Sequence, residues 1–77
     1  MKLNRNISGR DLVKLLSKFG YEISRQKGSH IRMTRKTEKG SHHITVPDHN
    51  PLKLGTLSGI IADVALQLGV SKEEILN

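Results

Sequence analysis

The stretch Lys27-Gly28-Ser29-His30-Ile31-Arg32-Met33 reads as a tight turn that delivers a histidine onto the first residue of a strand. Gly28 takes the positive φ such a turn needs without the steric cost a side chain would bring. From Ser29 onward the side chains alternate. Ile31 and Met33 therefore face one side while His30, Arg32 and Thr34 face the other. A polar strand face with an imidazole, a guanidinium and the neighbouring Lys27 suits a phosphodiester. Upstream of the turn, Tyr21, Ile23 and Arg25 alternate with Glu22, Ser24 and Gln26, which predicts a first strand. The second strand is expected from His30 to about Arg35.

Working outward, residues 37–41 are polar with Lys39-Gly40 at their centre and predict a second hairpin loop. His43-Ile44-Thr45-Val46 then reads as a third strand, with Ile44 and Val46 on its buried face and Pro47 ending it. Helical patterns flank this antiparallel meander. Ser8 is the expected N-cap of a first helix over residues 8–19, with Asp11 in the capping-box position. Its apolar stripe is Leu12, Leu15, Leu16 and Phe19, Lys14 and Lys18 lie on its wet face, and Gly20 stops it. After a loop at 48–51, Leu54, Leu57, Ile60, Ile61, Val64, Ala65 and Leu68 predict a second helix over residues 54–68, ended by Gly69. Ser71-Lys72-Glu73-Glu74 forms another capping box, opening a last helical turn that packs Ile75 and Leu76 back onto the core. Residues 1–7 read as a lead-in that frays. The fold class is α+β: helix, three-stranded antiparallel sheet and helix, with both helices on one sheet face and the other open.

At 77 residues the chain allows one small domain, expected over residues 1–77. It has no cysteine, so a disulfide framework and a thiolate metal site are both excluded. The four histidines show no H-E-x-x-H helix and no carboxylate at ligand spacing, so neither a metal nor another cofactor is expected. No apolar run approaches the roughly 20 residues of a membrane span, and no signal-peptide pattern opens the chain. A soluble cytoplasmic protein is the expectation. The net charge of +6 is unevenly spread: eleven of the thirteen Lys and Arg, but three of the seven Asp and Glu, fall in residues 1–40. One end is thus electropositive, which favours a polyanion such as nucleic acid. The only aromatic residues, Phe19 and Tyr21, sit beside a helix end, which argues against a base-stacking platform.

Taken together, these residues resemble the HicA-type toxins. The resemblance rests on Asp11-Leu12-Val13-Lys14-Leu15-Leu16, Gly20-Tyr21-Glu22, Arg25-Gln26-Lys27-Gly28-Ser29-His30, Thr45-Val46-Pro47 with His49, and Gly55-Thr56-Leu57 with Ile60 and Ile61. It implies a fold like the double-stranded RNA-binding domain and an endoribonuclease that cleaves mRNA. It further implies neutralisation by a HicB-type antitoxin, with the chain monomeric when free and heteromeric once bound. The family's catalytic histidine, in its Gly-Ser-His motif, corresponds to His30. Two positions depart from the pattern. Ile31 stands where many members carry a second histidine, and Asp48 precedes His49 where a neutral or basic residue is frequent.

Cleaving RNA requires deprotonation of the 2′-hydroxyl and stabilisation of charge on phosphorus. Histidine suits the first task because it titrates near neutral pH. Basic side chains and backbone N–H groups suit the second. His30 is accordingly the expected general acid/base, Lys27 and Arg32 the phosphate-holding groups, and Ser29 the group that orients the scissile linkage. His43 and Thr45 share the open face with His30, while His49 is expected to fix its own loop by hydrogen bonding. A non-catalytic RNA-binding module is the alternative. It lacks support at the start of the second helix, where Lys53 stands alone before Leu54-Gly55-Thr56-Leu57 and offers no duplex clamp. A DNA-binding helix-turn-helix would need a polar recognition helix, and residues 54–68 are too apolar for one.

Overall fold

A computed structural model describes residues 6–76. The elements are α1 (Gly9–Ser17), β1 (Glu22–Lys27), β2 (His30–Thr37), β3 (Gly40–Pro47), α2 (Leu54–Leu68) and α3 (Lys72–Leu76). The sheet is an antiparallel meander in the order β1-β2-β3. This is the expected α-β-β-β-α arrangement of a double-stranded RNA-binding-domain-like fold, with the short C-terminal helical turn in place.

Sequence-local chemistry sets the helix ends. The Ser8 hydroxyl accepts from the Asp11 N–H at 3.0 Å, and the Asp11 carboxylate accepts from the Ser8 N–H at 3.1 Å, closing the capping box. α1 ends at Ser17, two residues earlier than expected, and Lys18 to Gly20 close it by bonding back to the Leu15, Leu16 and Ser17 carbonyls. α2 has the predicted bounds and stops at Gly69, whose φ of 69° is left-handed. Before α3, the Ser71 N–H donates to Glu74 and the Glu74 N–H to the Ser71 hydroxyl, as that capping box predicts.

Both helices cover one sheet face. Ile31, Met33, Ile44 and Val46 point inward from the strands against Leu12, Val13 and Leu16 of α1 and Leu57, Ile61, Val64 and Ala65 of α2. Leu52 and Ile75 close the two ends. Ile31 is fully buried, so the residue after the Gly-Ser-His motif serves the core. Of the expected lead-in, residues 1–5 lie outside the described residues. Ile7 packs against the core, and its carbonyl accepts from the Leu52 N–H at 2.8 Å.

The hairpins are tighter and the strands longer than expected. Gly28-Ser29 alone link β1 to β2, with φ 58° at Gly28 and no positive φ at Ser29, as a II′ turn requires. Glu38-Lys39 alone link β2 to β3, so β2 runs on to Thr37 and β3 starts at Gly40. The Thr37 hydroxyl ties this turn by donating to the Gly40 carbonyl at 2.7 Å and accepting from the Lys39 N–H. The expected alternation of β1 fails for a defined reason. A β-bulge falls between Ile23 and Arg25: Ile23 pairs with Met33, but Arg25 pairs with Arg32 and Lys27 with His30. One extra residue reverses the parity, so Arg25 shares the face of Arg32 rather than that of Ile23.

Candidate functional site

The open face of the sheet follows from its register, because residues directly opposite across a ladder share a face. Lys27, His30 and Pro47 form one row across it, and Arg25, Arg32 and Thr45 the next. Glu22, Thr34 and His43 form a third row, with Lys36 and Ser41 beyond. His30 is exposed at the start of β2, beside the Gly28-Ser29 turn, with Lys27 opposite on β1 and Arg32 two residues along on the same face. Of the four residues singled out in the sequence, Lys27, His30 and Arg32 share this face, and Ser29 lies in the turn that leads into it.

That turn is held from three sides. The Ser29 carbonyl accepts from the Asp48 N–H at 2.6 Å, and the Gly28 carbonyl accepts from the Gln26 side-chain amide at 3.3 Å. Arg10, in the first turn of α1, donates to the Asp48 carboxylate at 3.2 Å and to the Gln26 amide oxygen at 3.4 Å. Asp48 therefore does not leave a bare negative charge beside His30; Arg10 takes it up. Gly9 explains how α1 approaches so closely. A Cβ there would run into the Pro47 carbonyl oxygen, and the Gly9 N–H donates to the His49 carbonyl at 2.8 Å. His49 thus fixes its loop through its backbone, while its side chain is exposed.

His43 is on the open face, as expected, but it pairs with Thr34, four residues along β2 from His30. At the rise of a strand this separates the two by roughly 13 Å. Its Nδ1 lies 2.9 Å from the Thr34 hydroxyl, which in turn lies 2.8 Å from the Ser24 hydroxyl. His42 points the other way. Its Nδ1 is 2.6 Å from the Tyr21 hydroxyl and its Nε2 is 3.2 Å from the Asp63 carboxylate, so it links the start of β1 to α2 through β3. Burial pushes the Tyr21 phenol above its ordinary range, opposed by Arg35 and aided by Asp63. Among the described residues no group of three or more His, Asp or Glu side chains converges at metal-ligand distance. No described helix is long and apolar enough to cross a membrane.

Arg10, Arg25, Gln26 and the Tyr21–His42–Asp63 chain were not visible as site elements in the sequence. The Arg10 and Asp48 partners are far apart in the chain, and Ser24 carries no signal for a bulge. The family model for the HicA toxin of bacterial toxin–antitoxin systems matches residues 9–66. Comparison with curated proteins and with solved structures found no match.

Proposed function

Because the chain belongs to the HicA toxin family, and is therefore the toxin of a toxin–antitoxin system with an antitoxin as partner, we propose that it is a metal-independent endoribonuclease acting on mRNA through His30. The observation that carries this reading is the arrangement around His30. An exposed imidazole stands at the start of the central strand, with Lys27 opposite it and Arg32 two residues along on the same face, beside a turn braced by Asp48, Gln26 and Arg10.

In this mechanism the His30 imidazole withdraws the proton from a 2′-hydroxyl. The 2′-oxygen bonds to phosphorus and the bond from phosphorus to the 5′-oxygen breaks. Lys27, opposite His30, holds the scissile phosphate and balances the charge gathering on its oxygens, Arg32 holds the RNA at the phosphate beside it, and Ser29 orients the linkage. His43 is too distant to act on the same phosphate, and the exposed site supplies the leaving oxygen with a proton from water. The chain acts as one domain, alone when free. A HicB-type antitoxin silences it by covering the basic face and His30, which also stabilises the toxin by mass action.

The test is digestion of a long single-stranded RNA in EDTA by wild type and by His30→Ala. Cutting by wild type alone supports the reading. Equal cutting by both removes His30 from the chemistry, and RNA binding without cutting by either favours a non-catalytic binding module.

A further inference from the structure

We infer that Arg25 and Arg32 form a two-guanidinium clamp that binds a backbone phosphate of single-stranded RNA next to the linkage at His30; the inference rests on the ribonuclease reading above. The bulge creates this pair. Unbroken alternation from Ile23 would send Arg25 to the core side of β1, whereas the extra residue brings it opposite Arg32. Ser24 pins the distortion by donating to the Arg32 carbonyl at 3.3 Å and bonding the Thr34 hydroxyl at 2.8 Å. Bulges characteristically re-aim side chains beside active sites.

In the free protein the arrangement is unfavourable, which is what points to a ligand. Like charges directly opposite across a ladder repel. Neither guanidinium meets a carboxylate among the described residues. Thr45, the β3 neighbour of Arg32, is uncharged, and Glu22 lies beyond the bulge opposite Thr34. The adjacent row adds Lys27, a third basic side chain on the same face. A phosphate between the two arginines relieves this repulsion, and each guanidinium offers it a planar fork of donors. The clamp lies two residues along β2 from His30, roughly 7 Å. That places it on a neighbouring phosphate of the strand being cut. Single-stranded RNA is favoured over a duplex because the start of α2 offers only Lys53 as a second basic contact.

The test uses the His30→Ala protein as parent, so that RNA is bound without being cut. Arg25→Gln in this background is compared with the parent by fluorescence anisotropy on a short single-stranded RNA over a range of salt. Binding is expected to weaken roughly tenfold or more. The slope of log affinity against log salt should become shallower by about 0.7, the value for one lost phosphate contact on a single strand. The thermal midpoint is expected to stay level or rise, because repulsion has been removed. Arg25→Lys should keep the slope but lose part of the affinity, since the fork is gone and the charge remains. Unchanged affinity and slope in Arg25→Gln would overturn the inference. So would a loss of affinity accompanied by a lower midpoint, or a loss seen only with duplex RNA. If the parent binds no RNA of either kind, the ribonuclease reading itself falls and takes the clamp with it.

Discussion

Tyr21→Phe isolates the contribution of the Tyr21–His42 hydrogen bond at the inner end of the chain that runs to Asp63. Tyr21 is 1% exposed and keeps its ring in an edge contact with His42, centroids 5.7 Å apart, so phenylalanine preserves the packing. What it removes is the 2.6 Å bond to His42 Nδ1, leaving that nitrogen unpaired on a side chain only 16% exposed. Losing such a bond and stranding its partner costs about 1–2 kcal/mol. At about 4–8 °C per kcal/mol for a domain of this size, the thermal midpoint falls by roughly 5–15 °C. A second arm follows from the phenol. Its pKa is raised on folding, so the folded state holds this proton longer than the unfolded chain does. The stability it supplies is fully present below the unfolded value near 10 and disappears as pH rises through the folded value. Denaturant titrations across that alkaline range should show a steeper loss for wild type than for Tyr21→Phe. RNA cleavage per folded molecule should not change, because His42 points away from the face that carries His30. A midpoint within a degree of wild type, or identical alkaline slopes, would refute this reasoning.

Four further substitutions test the geometry. Gly9→Ala should destabilise the fold by about 1–3 kcal/mol through overlap with the Pro47 carbonyl, measurable as a lower urea midpoint. Ser8→Ala should cost about 1 kcal/mol by opening the capping box. The Asp11 carboxyl, held below its ordinary range mainly by the Ser8 N–H and then the Ser8 hydroxyl, adds stability above its unfolded pKa that is lost as pH falls through the folded value; Asp11→Asn should flatten that acid limb of a pH–stability profile. Asp48→Ala removes a partly exposed ion pair and should change stability by less than about 1 kcal/mol. Its cleavage rate should fall more than its RNA affinity, because the backbone turn carrying His30 loses the Arg10 brace.

The features legible in the sequence are those whose cause is local. Hydrophobic periodicity and Gly69 gave both ends of α2, and the Ser8–Asp11 and Ser71–Glu74 pairs announced their capping boxes. Alternation assigned Ile31, Met33, Ile44 and Val46 to the core and left His30 and Arg32 on the open face. What stayed hidden depends on register or on distant partners. A bulge at Ser24 adds a residue without changing the polar–apolar character of the strand, so simple alternation groups Arg25 with Ile23. His42 carries no local signal of its role, because its partners, Tyr21 and Asp63, come from two other parts of the chain. The brace on the Gly28-Ser29 turn likewise needs α1 folded against the end of β3 before Arg10 can reach Asp48.

In the proposed mechanism His30 activates the 2′-hydroxyl of RNA as the nucleophile. The most direct measurement is digestion of an oligonucleotide carrying a single 2′-deoxy sugar on the 5′ side of a mapped cut, with mass analysis of the products. This linkage should survive, while the all-ribose control yields a 2′,3′-cyclic phosphate and a free 5′-hydroxyl. Cleavage at the deoxy position at the control rate would contradict that mechanism.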